Sequence, residues 1–137
     1  RDRYLVDTNI FLEVLLAGPR KNECEQFLTG IRKGVKMGVI TDFSVHSILV
    51  VMEGVGKRDK LKIFLRSLLA YKGLRVYSTE LADEIGAIDV SYEVSLDLDD
   101  AIQYYVASKL KAEAIVSFDE HFNGLKIPRL EPSQATM

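Results

Sequence analysis

Tyr4-Leu5-Val6-Asp7-Thr8-Asn9, near the start of the chain, gives the clearest indication of the fold. Three apolar residues end at an acid, which is typical of a buried strand followed by a helix that Thr8 or Asn9 caps. Further strands are predicted at 38–41, 74–77 and 114–117, with helically spaced apolar residues between them. This alternation predicts a three-layer α/β/α sandwich around a central, mainly parallel sheet.

A final strand is predicted at 127–130, where Pro128 restricts it to an edge of the sheet. A helix carrying Leu81 and Ile85 is expected to begin at Ser78 or Thr79. Neither a linker nor a low-complexity tract interrupts the pattern. Residues 1–137 are therefore predicted to form a single domain.

Composition excludes several classes of protein. Of the 137 residues, 47% are hydrophobic, which is too many for a disordered chain, and 9 Gly with 3 Pro are too few for a collagen-like one. The lone Cys24 allows neither an internal disulfide nor a cysteine zinc cluster and favours a reducing compartment. Apolar runs fall far short of the roughly 20 residues of a membrane span, and no secretory leader is recognised. We expect a cytoplasmic protein outside the membrane.

Acidic residues stand where a parallel sheet binds its ligands, outside the carboxyl ends of the strands. Asp7 and Asp119 follow two strands, and Asp97, Asp99 and Asp100 crowd the first turn of a helix. If these segments converge, their like charges require a cation, and oxygen ligands select Mg²⁺ or Mn²⁺. A divalent ion held by carboxylates is suited to hydrolysing phosphodiesters.

Each acid also has a purely structural interpretation. Asp7 and Asp119 could cap the elements that follow them, and Asp97 could be an N-cap with Asp100 in the favourable first turn of the helix. The combination of acids at two strand ends and at one helix start favours a site over three separate caps.

The same segments resemble the PIN domain, in order and in spacing, over essentially the whole chain. They are Leu5-Val6-Asp7-Thr8-Asn9, Leu98-Asp99-Asp100-Ala101-Ile102 and Ile115-Val116-Ser117-Phe118-Asp119-Glu120-His121-Phe122. The resemblance implies a PIN-like α/β/α fold and a metal-dependent ribonuclease, and many PIN domains of this size are the toxins of VapBC toxin–antitoxin pairs.

The resemblance also assigns roles to individual residues. It implies that Asp7, Asp100 and Asp119 are the catalytic acids and the ligands of Mg²⁺ or Mn²⁺. It implies that Ser117 positions ligand or water, that Thr8 or Asn9 supports Asp7, and that Asp97 can add a ligand.

One family position departs from the pattern. The second acid of PIN domains is a Glu in the helix after the second strand, and the apolar register here places Ser47 at that position. Loss of this ligand should weaken metal binding. His46 could substitute as a ligand or base, although a lone His beside an apolar helix is more often simply hydrogen-bonded. His121 is interpreted as a turn residue.

Basic residues concentrate in the first part of the chain. Residues 1–75 carry 14 Lys/Arg and 8 Asp/Glu, whereas residues 76–137 carry 4 and 12. A cluster of Lys57, Arg58, Lys60 and Lys62 precedes an apolar helix and could contact RNA phosphates, with salt-dependent affinity. The alternative is a solvated helix face.

Three functions compete at this point. The first is a metal-dependent endoribonuclease that hydrolyses RNA, in the manner of a VapC toxin with a small antitoxin partner; a homodimer is compatible with it. The second is a PIN-fold module that binds RNA or protein with little or no catalysis, because Ser47 replaces the Glu. The third, a receiver-like or phosphatase-like domain with Asp7 as phosphoacceptor, is disfavoured because Asn9 stands where a phosphatase loop has a second Asp.

Overall fold

Five parallel strands form the central sheet in the computed structural model, which describes residues 3–136. They are Arg3–Val6 (β1), Met37–Thr41 (β2), Leu74–Tyr77 (β3), Ala114–Val116 (β4) and Arg129–Leu130 (β5). The strand order is β3-β2-β1-β4-β5, and every neighbouring pair is parallel. The predicted parallel sheet is therefore confirmed. β5 is an edge strand, as Pro128 requires, although it is shorter than predicted.

Helices cover both faces of this sheet. They are Thr8–Leu15 (α1), Lys21–Arg32 (α2), Asp42–Gly54 (α3), Leu61–Leu69 (α4), Leu81–Glu93 (α5), Leu98–Lys109 (α6) and Pro132–Thr136 (α7), with short 3₁₀ helices at Arg58–Lys60 and Glu120–Phe122. α1 to α4 and α7 pack on one face against Val6, Ile40 and Val116. α5 and α6 pack on the other face against Leu5, Val39 and Ile115. Neighbouring residues of a strand point to opposite faces of the sheet, so each face packs against its own layer of helices. The three-layer α/β/α sandwich is therefore confirmed.

The direction of the chain reverses between β1 and β4. From β1 it winds outward through β2 to β3, and then returns through α5 and α6 to β4, which pairs with the other edge of β1. Such a reversal opens a crevice at the carboxyl ends of the two strands. Asp7 follows β1 and Asp119 lies just beyond β4, so the topology places both acids at this crevice.

No helix within residues 3–136 combines the length and apolarity needed to cross a membrane.

A buried ionic cluster fastens α5 to α6 and β3. Asp83, only 1% exposed, accepts hydrogen bonds from Lys109 Nζ at 2.8 Å and from the Tyr77 hydroxyl at 3.0 Å. It also accepts from the backbone N–H of Glu80 at 2.9 Å. Glu80 and Asp83 form a capping box, so α5 is capped by Glu80 and the prediction of a cap at Ser78 or Thr79 is wrong.

We expect Asp83→Asn to lower the free energy of unfolding by about 1–3 kcal/mol at pH 7, since it removes charge-assisted hydrogen bonds. Burial raises the pKa of Asp83, but hydrogen bonds from Lys109, Glu80 and Tyr77 outweigh it and hold the pKa below its usual 3.8. The stabilisation is therefore present above pH 3.8 and is lost as the pH falls through the lowered pKa. Urea unfolding at pH 7 and at about pH 2 measures both effects.

The control is Asp89→Asn, an exposed acid of the same helix, which should leave the stability at pH 7 nearly unchanged. An equal loss in the two variants would show that the cluster contributes nothing specific.

Candidate active site

Asp7 lies buried at the bottom of the crevice. Its side chain accepts hydrogen bonds from Ser117 Oγ at 2.6 Å and from Gln103 Nε2 at 3.0 Å. α1 begins at Thr8, so Asp7, and not the predicted Thr8 or Asn9, stands at the N-cap position, although its side chain makes no capping hydrogen bond. The Thr8 hydroxyl donates to Ser44. Burial raises the pKa of Asp7, although hydrogen bonds from Ser117, Gln103 and the Thr8 backbone oppose the shift and the negative charge of Asp119 adds to it.

Ser117 links Asp7 to Asp119. Its fully buried hydroxyl donates to Asp7 and accepts the backbone N–H of Asp119 at 2.9 Å. Asp119 Oδ1 in turn accepts the backbone N–H of His121 at 2.9 Å, so this acid also caps the 3₁₀ turn, as its structural interpretation holds. Ser117 therefore fixes two acids at once.

Asp100 approaches from the first turn of α6. Asp97 is the N-cap of that helix, as predicted, and its side chain makes no capping hydrogen bond. The side chain of Asp100 is 14% exposed. Burial raises the pKa of Asp100 to about 6, with the charges of Asp119, Asp7 and Asp97 adding to the effect and His121 opposing it. Asp100 thus interacts electrostatically with Asp7 and Asp119.

His121 stands between Asp100 and Asp119, although the sequence suggested only a turn residue. Its Nδ1 lies 3.2 Å from Asp119 Oδ1 and 3.5 Å from Asp100 Oδ2. Within residues 3–136, these three side chains are the group that places potential metal-ligand atoms within 4.8 Å of one another.

A polar chain behind Asp7 was missed by sequence reasoning. Gln103 is buried one turn beyond Asp100 on α6, and its Oε1 lies 3.4 Å from the hydroxyl of Ser44. Ser44 also accepts a hydrogen bond from Thr8 Oγ1 at 2.8 Å. A Gln in the run Ala101–Val106, otherwise apolar or aromatic, is the signal that could have identified this chain. The Thr8 side chain therefore supports Asp7 indirectly, through Ser44 and Gln103, while its backbone hydrogen-bonds Asp7 directly.

Other candidates lie outside these contacts. In the described part of the chain, the side chains of Ser47 and Asn9 make no hydrogen bond to the three acids, and Ser44 is the serine of α3 that joins the network. His46 lines a different pocket, with Asp42, Val76 and Thr79, and none of the three acids lines that pocket. The structure does not test whether Ser47 holds the position of the family's glutamate, and that assignment stays a prediction.

The donor set fits a divalent cation. Asp100 and Asp119 stand beside His121 within ligand distance, and Asp7 lies behind them, joined to Asp119 through Ser117. Burial is the main cause of the raised pKa of Asp100, and the charges of Asp119 and Asp7 raise that pKa further. Asp100 and Asp119 are the partly exposed acids, and they offer the hard oxygen atoms that Mg²⁺ and Mn²⁺ prefer.

The molecule is an α/β/α protein with acids at the carboxyl ends of two neighbouring parallel strands. The chain belongs to the PIN domain family, whose pattern matches residues 4–127. A sequence comparison with curated proteins yields no significant match.

Solved structures share this fold over nearly the whole chain. A toxin–antitoxin complex from Klebsiella pneumoniae is 18% identical, with 94% of this chain and 97% of that chain covered and a TM-score of 0.70. VapC20 of Mycobacterium tuberculosis, described as a sarcin-ricin loop cleaving toxin, is 16% identical, with 94% and 99% covered and a TM-score of 0.74. VapBC2 of Rickettsia felis, bound to promoter DNA, is 13% identical, with 94% and 98% covered and a TM-score of 0.73. At these identities the likeness establishes the fold.

Proposed function

We propose that this chain is a metal-dependent endoribonuclease that hydrolyses RNA phosphodiesters and acts as the toxin of a VapBC-type pair. The observation that carries the proposal is the group of Asp100, Asp119 and His121, whose potential ligand atoms lie within 4.8 Å of one another. Buried Asp7, at the end of β1, is joined to Asp119 through the Ser117 hydroxyl. Membership of the PIN family and the similarity to VapC-type toxins support it.

The roles of the side chains follow from their exposure. Asp100 and Asp119, at the mouth of the crevice, would hold Mg²⁺ or Mn²⁺, with Asp7 contributing negative charge from below and Asp97 from the rim. A bound ion supplies an activated water and stabilises the leaving oxyanion. Ser117 and Gln103 hold Asp7 in one orientation, which keeps the acids preorganised.

RNA and an antitoxin are the proposed partners, in the cytoplasm. Exposed Lys60 and Lys62, with Lys57, give the start of α4 a positive surface for phosphates, whereas Arg58 pairs with Glu53 at 3.0 Å. A homodimer is also part of the proposal.

A second candidate is a PIN-fold module that binds RNA or protein without cleaving RNA. The specific observation in its favour is that α3 contributes no acid to the described Asp100–Asp119–His121 group, while Ser44 and Ser47 are neutral.

Incubation of the purified protein with a single-stranded RNA tests the proposal. We expect cleavage with Mn²⁺ or Mg²⁺ and none after chelation, because the proposed mechanism relies on the bound ion to activate water and to stabilise the leaving oxyanion. Cleavage that persists in chelator would contradict a metal-dependent nuclease. RNA binding without cleavage, retained in Asp7→Asn and weakened when Lys57, Arg58 and Lys62 are neutralised, would establish the binding module instead.

A further inference from the structure

We propose that the imidazole of His121 is a third protein ligand of the metal ion, and that it gives this chain a preference for Mn²⁺ or Co²⁺ over Mg²⁺. The inference rests on the metal centre of the proposed function. It adds a ligand and a metal selectivity that the three acids by themselves do not provide.

The side chains of Asp100, Asp119 and His121 are spaced like the ligands of one metal ion. Two ligands on adjacent corners of an octahedron, each about 2.2 Å from the ion, lie roughly 3 Å apart. His121 Nδ1 lies 3.2 Å from the nearest Asp119 oxygen and 3.5 Å from the nearest Asp100 oxygen. The imidazole nitrogen thus already stands at ligand spacing from both carboxylates.

The backbone fixes where His121 stands, although its side chain is 70% exposed. Phe122, the next residue, is fully buried in the core beneath α5 and α6. On the other side, Asp119 accepts the backbone N–H of His121 and is itself held by Ser117. The exposed ring can therefore adjust to an ion while its Cα stays in place.

The chemistry of the donors sets the metal preference. Mg²⁺ favours all-oxygen coordination, whereas imidazole is a good ligand for later transition metals and is accepted by Mn²⁺. A centre of two carboxylates and one imidazole should gain affinity for Mn²⁺ and Co²⁺ and gain little for Mg²⁺. His121 would thereby offset the missing acid of α3, with neutral nitrogen in place of negative oxygen.

Metal binding without RNA tests the inference, with EPR for free Mn²⁺ and calorimetry for Mg²⁺. We expect His121→Ala to weaken Mn²⁺ binding at least about tenfold, while the Mg²⁺ affinity changes less than about twofold. The matched control is His46→Ala, because these are the 2 His residues of the chain and His46 lines a different pocket. It should bind both ions like the wild type.

Electron spin-echo spectroscopy of bound Mn²⁺ gives a second, independent readout, because it detects a directly coordinated imidazole nitrogen. We expect nitrogen modulation in the wild type and in His46→Ala, and its loss in His121→Ala. Mn²⁺ binding that is lost in Asp119→Asn but equal in His121→Ala and the wild type would overturn the inference and leave the proposed metal centre standing. Failure of the wild type to bind either ion would overturn both.

Discussion

Asp100→Asn is expected to abolish RNA cleavage and, at the same time, to stabilise the metal-free protein. Loss of a metal ligand should cost several kcal/mol of transition-state stabilisation, a drop of at least about 100-fold in rate. Stability should move the other way, because burial and the charges of Asp119 and Asp7 raise the pKa of Asp100 to about 6. At pH 7.5 Asp100 is ionised in the folded protein, although its surroundings disfavour the negative charge. Asp100→Asn removes this charge and should raise the free energy of unfolding by about 1–3 kcal/mol. Urea unfolding in chelator measures the gain.

The pH dependence of stability separates this explanation from a simple packing effect. The pKa of Asp100 rises from 3.8 in the unfolded chain to about 6 in the folded protein, so the folded state binds more protons between those values. The free energy of unfolding of the metal-free protein should therefore fall as the pH rises from 3.8 to about 6. Asp100→Asn should flatten that fall. Some slope should remain, because the pKa of Asp7 is raised as well.

Mn²⁺ should stabilise the wild type more than Asp100→Asn, and so oppose the advantage of the variant in chelator. A bound ion stabilises the wild type by about 2.7 kcal/mol at a hundredfold excess over its dissociation constant, and Asp100→Asn should lose most of this gain. The control is Asp99→Asn, the exposed preceding residue, which should cleave RNA and respond to metal like the wild type. A metal response unchanged in both Asp100→Asn and Asp7→Asn would place the ion elsewhere.

Much of the fold was predictable because its signals are local. A buried parallel strand is apolar on both faces, so β1 and β4 stand out as short apolar runs that lead to an acid. The pairing of β1 with β4 is different, because it joins residues that are far apart in the chain and depends on the packing of all the intervening elements. The five-residue helix α7 was missed, since it is too short to show helical periodicity.

In the candidate site, too, some residues have local signals in the sequence, and others depend on contacts between distant parts of the chain. The three acids could be predicted from strand ends, a helix start and the family resemblance. Gln103 and Ser44 could not be assigned roles, because a polar residue inside a helix has no local signature until its partner on another element is known. His121 was correctly expected in a turn. Its position against Asp100 depends on how α6 docks beside β4, and sequence spacing does not encode that docking.

Restoring an acid on α3 is the complementary experiment, and Ser47→Glu should tighten Mn²⁺ binding at least about tenfold and raise nuclease activity. Ser47 lies three residues after Ser44, so the two share one helix face, and Ser44 reaches Asp7 through Gln103. The Ser47 side chain makes no hydrogen bond in the described structure, so its replacement breaks none. A longer carboxylate on this face would add negative charge to the crevice. Asp7→Asn in the Ser47→Glu background should abolish both gains.

The matched control is His46→Glu, which adds the same carboxylate one residue earlier but directs it to the pocket beside Asp42 and Val76. It should leave metal affinity and cleavage unchanged, because none of the three acids lines that pocket. Equal gains in the two variants would attribute the effect to net charge alone. Strong cleavage by the unmodified protein, with no gain in Ser47→Glu, would show that the centre is already complete without an acid from α3. His121, within ligand distance of Asp100 and Asp119, would then be the group that completes it.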